Sequence, residues 1–438
     1  MISKKKAESL IDFVLSYAEG KAQGAEVCVN ASDFSTSRFA NNSMTQNQAP
    51  DRAEVSVRII KNGRQVRLSS DDLSANSLRR LVDDALTACK FLEKDIALLA
   101  LPTMPKLAYP QVNRLDRATA ELDAQQRSKA VKGIIAIAEK KGLNAAGIVS
   151  SGSALFSIGN SKGLYATHRQ SSAECSITMY RDASTGWAKA DYSSFAELDV
   201  SELANRAAEK AIANRDPVEI SPGKYRVILE PSAVLDLVCF LNFDFAATSH
   251  LDKLSCFQDK LGKKVLGDNI GIRDDVTDPG QNGCPFDGEG LPRKSVNLVE
   301  HGVVKNLVAG RRSASKLGMK ATGHGFPEPN SEGEYPANIV FTGGDTTLQQ
   351  MVADADRAIL LTRVWYIREV DPEGKIVTGM TRDGTFLVED GKVVSAVKNL
   401  RFNQSIIEML NNVEKLGPAV RTAGEEGIPA VVPAMQVA

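Results

Sequence analysis

The sequence predicts an α+β fold in two domains, and three observations carry that prediction. Residues 5–19 space Leu10, Ile11, Val14, Leu15 and Ala18 on one helical face, and the strand-like alternation of AEVCVN follows. The run AEVSVRIIKNGRQVRLSS alternates on both sides of Asn62-Gly63, the pair preferred at a type I′ hairpin turn. Beyond Pro222 the chain changes to short strands punctuated by glycine. A chain of 438 residues is too long for one ordinary core. The boundary is expected near Pro222, giving an N-terminal domain over 1–221 and a β-rich C-terminal domain over 222–438.

In the first domain, the hairpin is followed by an amphipathic helix in DDLSANSLRRLVDDALTACKFL. The stretch KDIALLALPTMPKLAYPQVNRL holds three prolines and reads as a surface excursion. One long helix is expected from about Ala118 to Lys141, then successive strands in NAAGIVSSG, SALFSIGNSKGLYATHRQ and SAECSITMYRDAS, turning at Asn160–Gly163. VSELANRAAEKAIANRD reads as a further helix. The second domain opens on an unusually apolar helix, PSAVLDLVCFLNFDFAA, behind Pro231. The remainder is mainly antiparallel β, sandwich-like or barrel-like.

Lys plus Arg number 53 against 54 Asp plus Glu, which argues against binding nucleic acid through its backbone charge. The six cysteines are far apart and form no C-x-x-C pair, as expected of reduced, mostly buried thiols in a cytoplasmic protein. The N-terminal apolar run is interrupted by Asp12 and Glu19, so it reads as an amphipathic helix rather than a signal peptide. No apolar run is long enough to span a bilayer, and no membrane partner is expected. The phosphate loop, the G-x-G-x-x-G turn and the G-x-S-x-G elbow are all missing. The histidines are His168, His250, His301 and His324, and no two lie at the spacing of a zinc helix.

An ordered series of motifs runs through the chain: FANNSMTQNQ before EVSVRIIKNGRQVRLSSDDLS, then CFQDKLGKKVLGDNIGIRDD. Next come FDGEGLPRKSVNLVEHGVVKNLVAGRRSASKLGMKATGHG, with its D-x-E-G turn and T-G-x-G loop, and TGMTRDGTFLVEDGKVVSAVKNL. This series resembles the TldD/PmbA family, over nearly the whole chain. The family includes TldD-type metallopeptidases and TldE- or PmbA-type homologues without the metal site, and members have also been labelled modulators of DNA gyrase. Peptidase members carry H-E-x-x-x-H on a helix of the C-terminal domain and a cysteine near the C-terminus. The resemblance places that helix at Leu237–Asp244, where this chain has Val238, Cys239, Phe240, Leu241 and Phe243. RTAGEEGIPAVVPAMQVA holds no cysteine. The resemblance therefore implies a TldE-like member with no metal ligands of its own and no cofactor, zinc being expected only in a TldD-like partner.

A helix so apolar reads as buried core, and Cys239, Cys256 and Cys284 read as inert thiols. His324 lies on a glycine- and proline-shaped loop. It is either a contact residue facing bound peptide, with Phe326 beside it, or a ring packed inside a tight turn. In LLTRVWYIREVD, strand alternation puts Arg363, Trp365 and Ile367 on one face and Val364, Tyr366 and Arg368 on the other. An arginine and an aromatic in a cleft suit a peptide's carboxylate and backbone, or else they line a solvated edge. Arg382, in Arg382-Asp383-Gly384, belongs to a turn first and to a binding element second. The acidic group Asp274, Asp275, Asp278, Asp287 and Glu289 lacks EF-hand spacing and reads as a solvated, turn-rich connection.

The function implied by the resemblance is that of a non-catalytic subunit. It would pair with a TldD-like metallopeptidase, or with itself, as a dimer acting on unfolded peptides. A self-sufficient peptidase with a divergent site and a homodimeric peptide-binding protein are the alternatives.

Overall fold

The computed structural model describes residues 1–104 and 108–438. The chain is α+β. Its N-terminal half is built on one sheet of eight strands: β1 (Gly24–Ser32), β2 (Ser35–Ala40), β3 (Ser43–Gln48), β4 (Arg52–Lys61), β5 (Arg64–Ser70), β6 (Asn144–Asn160), β7 (Tyr165–Arg181) and β8 (Ser184–Tyr192). The order is β3-β2-β6-β1-β4-β5, with β7 on the far side of β6 and β8 beyond it. The hairpin at Asn62-Gly63 forms between β4 and β5 as expected, with both turn residues at positive φ.

The strand expected to break between Gly152 and Ser153 is instead continuous. β6 runs 17 residues because β2 pairs with residues 147–151 and β1 with residues 154–160. The corner between β1 and β2 crosses at Gly152, where an added Cβ would lie 2.6 Å from the Phe34 Cα.

Helices α1 (Lys4–Ala18) and α2 (Ala75–Ala88) cover one end of this sheet. The single helix expected over 118–141 divides into α3 (Arg117–Ala120) and α4 (Ala124–Lys140). The reason is local: Asp123 caps a new start, accepting from Gln126 N–H, while the Gln126 side chain accepts from Asp123 N–H. α4 and α5 (Val200–Ala213) cover the other end of the same face. In β6, Val149 meets the α4–α5 core and Leu155 the α1–α2 core, so odd-numbered residues face the helices. The opposite face is left for the C-terminal half. The proline-rich excursion has no regular structure where it is described; residues 105–107, including Pro105, lie outside the described residues.

The C-terminal half packs a six-stranded and a seven-stranded sheet around one core, a sandwich-like arrangement. Leu298, Ile339 and Phe341 of one sheet share that core with Ile359, Val377 and Met435 of the other. Strand β9 (Val227–Leu229) enters it and leads to α6 (Pro231–Val238). The apolar helix expected to Ala247 stops here and tightens into a three-residue-per-turn helix over Cys239–Phe245. Tightening turns Leu241, Asn242, Asp244 and Phe245 inward together, while Phe243 stays half exposed.

Candidate functional site

α6 ends against the C-terminal segment Gly424–Gly427. Asp236 is an acid within an otherwise apolar helix and is fully buried. Its Oδ1 accepts from Glu425 N–H at 2.8 Å and from Glu426 N–H at 2.9 Å. A Cβ added to Gly424 would lie 2.1 Å from that oxygen, so only glycine permits the approach. A Cβ added to Gly427 would lie 3.1 Å from the Cys239 Cβ, so helix and loop are in direct contact. Burial raises the Asp236 carboxyl from 3.8 to about 6 against the pull of those backbone donors. It also pushes the Cys239 thiol well above its ordinary value, which makes a poor nucleophile. Val238 and Leu241 are buried, Cys239 and Phe240 partly buried, and Asn242 donates to the Tyr335 hydroxyl at 2.8 Å.

From this junction a run of guanidinium groups and aromatic rings leads outward. Glu425 reaches Arg363 Nη1 at 2.9 Å. Arg363 Nε donates to Asp383 at 2.8 Å, and the guanidinium lies 4.5 Å over the Trp187 ring, which β8 supplies. Arg382 approaches Asp383 at 3.6 Å and stacks 4.2 Å over Trp365. Trp365 and Tyr366 are 5.7 Å apart, and Arg368 lies 4.6 Å over Tyr366.

The structure thus brings together Arg363, Tyr366, Arg368 and Arg382, four of the sequence candidates. It corrects their arrangement. The expected alternation fails because pairing between the strands Arg357–Asp371 and Ile376–Glu389 slips between Trp365 and Arg368, and Tyr366 adopts a φ of 55°. Trp365 and Tyr366 consequently both stand exposed, at 42% and 58%, while Arg363 is buried at 6%.

His324 and Phe326 lie elsewhere. The His324 ring is enclosed, 1% exposed, and faces no cleft. Nε2 pairs with Asp274 Oδ1 at 2.9 Å and Nδ1 with the Thr322 hydroxyl at 2.9 Å. Of the two loop readings, the structure matches the packed ring. Phe326 is partly buried, its N–H donating to Gly333 O. The acidic group is also corrected: Asp274, Asp287 and Glu289 are buried rather than solvated. Asp287 accepts from the N–H groups of Glu289, Leu291 and Gly325, and Glu289 pairs with Arg311.

The D-x-E-G turn and the T-G-x-G loop interlock here, at the seam between the halves. Arg67 Nε donates to Glu328 O at 2.7 Å, Arg312 pairs with both Asp95 and Glu328, and the Tyr109 hydroxyl donates to Gly290 O. Burial, then the neighbouring charge of Asp287, pushes Glu289 up to about 7. Among the described residues, no group of three or more His, Cys, Asp or Glu side chains stands together as a metal site.

Three family models cover most of the chain. PmbA/TldA metallopeptidase domain 1 matches residues 25–89, the central domain residues 111–215 and the C-terminal domain residues 222–438. The chain belongs to the PmbA/TldD family.

Metalloprotease PmbA of Escherichia coli O157:H7 is 23% identical over 439 residues, covering 96% of this chain and 93% of that protein. A metalloprotease of Methanothermobacter thermautotrophicus is 26% identical over 231 residues, and there the match spans only 49% of the relative's length. The solved structure of TldE from Thermococcus kodakarensis superposes with a TM-score of 0.87 at 20% identity, over 98% of both chains. A Thermotoga maritima structure described as a modulator of a DNA gyrase gives 0.86 at 20% identity. At such identities these structures show the fold.

Within the PmbA/TldD fold, the segment that the resemblance assigns to the metal does not fit one. Val238, Phe240, Leu241 and Phe243 are apolar, Asn242 is bonded to Tyr335, Asp244 is paired with Lys375, and the helix is closed against the C-terminal loop. Asp236, Glu425 and Trp187 were missed by the sequence reading. Asp236 carried a signal, as one of two acids, with Asp244, in the apolar run 231–247; the other two carried none.

Proposed function

We propose that this chain is a TldE-like, non-catalytic subunit that pairs with a TldD-like metallopeptidase acting on unfolded peptide. The observation that carries the reading is the closed junction of α6 with Gly424–Gly427. In place of a polar pocket it holds apolar side chains and a single buried carboxylate, Asp236, whose Oδ1 is tied to two backbone N–H groups of the C-terminal loop. Zinc would belong to the partner alone. The exposed part of the guanidinium–aromatic run, Trp365, Tyr366, Arg368 and Arg382, is suited to orient extended peptide: rings supply apolar area and guanidinium groups donate to carboxylates. The buried Arg363 holds that run to the junction.

Purification of the untagged protein from its own host tests the pairing. A TldD-like metallopeptidase is expected to co-elute in equal amount. A chain that stays alone or only self-associates, while the peptidase elutes elsewhere, overturns the reading.

A further inference from the structure

The sheet face turned away from the helices carries a second feature. Four strands run in register there, and Glu54 stands opposite Asn30, Asn30 opposite Phe156, and Phe156 opposite His168. Strands lie about 4.8 Å apart, so this row sets a carboxylate and an imidazole roughly 14 Å apart, with an amide and a ring between them. The next row is Arg52, Ser32, Ala154 and Gln170. Its two middle residues are small, which leaves a hollow between the larger flanks. On the other side, Phe286 of the C-terminal half covers Cys28 and Ile158 and stacks on Phe156 at 5.5 Å. The resulting cavity is about 850 Å³, and Cys284 and Asp71 are among the residues that line it. Sites for small ligands have this size.

Its chemistry is directional. The charged residues lining it are Asp51, Glu54 and Asp71 against Arg52; Asp51 is paired with the Met1 amino group at 2.6 Å, which leaves Glu54 and Asp71 to meet a cation. At the far end, His168 is 7% exposed and, among the described residues, its Nε2 has no hydrogen-bond partner, an uncommon state for a buried ring nitrogen. We propose that this hollow binds an organic primary amine. The ammonium would sit between Glu54 and Asp71, the chain would cross Phe156, and the far end would hydrogen-bond to His168 and Gln170. Burial lowers the His168 pKa to about 4, so at neutral pH the ring adds no repelling charge. A polyamine and a lysine side chain of an extended peptide share this ammonium chemistry. The site uses neither the α6 junction nor the guanidinium–aromatic run, so it stands separately from the proposed pairing.

Titration calorimetry on the full chain at low ionic strength tests the proposal. Three probes are used: spermidine, an N-acetylated unstructured peptide with one lysine, and the same peptide with that lysine acetylated. Saturable binding of spermidine, of the lysine peptide, or of both is expected, and which of them binds identifies the source of the amine. The acetylated peptide should not bind. Glu54 and Asp71 are exposed, so the double variant E54Q/D71N should fold normally, checked by circular dichroism, and bind at least tenfold more weakly. Binding by neither amine, or equal binding by wild type and the double variant, overturns the proposal.

Discussion

Asp236 and His324 show how a buried side chain sets a local structure and what its removal should cost. Asp236 accepts from two backbone N–H groups of the C-terminal loop. Replacement by Ala removes both hydrogen bonds, each worth about 0.5–1.5 kcal/mol. Denaturant melts of Asp236→Ala should therefore show a loss of about 1–3 kcal/mol. The pH dependence has a definite sign. The folded carboxyl titrates at about 6 and the ordinary one at 3.8, so the native state holds the proton more tightly. Its stabilising contribution is present below 3.8 and is lost as pH rises through 6. Asp236→Asn cannot titrate, so wild type should gain stability relative to this variant on moving from neutral pH to pH 4. A constant difference between the two melts would contradict the assigned burial. His324 was legible as a loop residue from Gly323, Gly325, Pro327 and Pro329. Its burial was not, because its partner Asp274 lies 50 residues away. His324→Ala leaves the buried Asp274 Oδ1 without that hydrogen-bond partner, and losing the partner of a buried polar group costs about 1–3 kcal/mol. The melting temperature should fall clearly; an unchanged melt would mean that the ring is not held as described.

At the scale of elements, the antiparallel pair Arg357–Asp371 and Ile376–Glu389 carries the exposed run. Its strands were legible from their alternation, but the turn expected at Arg382-Asp383-Gly384 is corrected: all three residues lie inside the strand Ile376–Glu389, where the pairing is irregular, and the slip near Tyr366 was not legible either. A bulge changes which face a residue takes without changing composition. The same limit explains α4: the Asp123–Gln126 capping box was present in ELDAQQ, yet a helical pattern on both sides hid the break. Members of the run should differ sharply on substitution. Arg363 is buried and holds Asp383 and Glu425, so Arg363→Ala should destabilise the fold by about 3–5 kcal/mol. Arg368 and Arg382 are partly or fully exposed, and their removal should change stability by about 0.5 kcal/mol or less. In a reconstituted pair with a TldD-like peptidase, Arg368→Ala with Arg382→Ala should slow cleavage of an unfolded substrate by about tenfold, the scale of one or two lost contacts. Unfolding curves and cleavage rates separate the two effects, and a full cleavage rate in the double variant would remove the run from substrate contact.

Across the whole molecule, the motif order made the family legible, because the D-x-E-G and T-G-x-G segments interlock at the seam between the halves. Strand and turn signals gave a mainly antiparallel C-terminal half, sandwich-like or barrel-like, and the two sheets around one core decide for the sandwich-like arrangement. The charged seam did not: Arg67, Arg312 and Asp95 meet groups distant in sequence, and single-sequence patterns report only local neighbours. The central claim is that the chemistry lies in a partner and that this chain holds no metal at the α6 junction. Elemental analysis for zinc, run on the isolated untagged chain and on its complex with the co-purified TldD-like subunit, tests this most directly. The account predicts substoichiometric zinc in the isolated chain and one zinc per pair in the complex. A full equivalent of zinc in the isolated chain, lost when the α6 junction is altered, would contradict it.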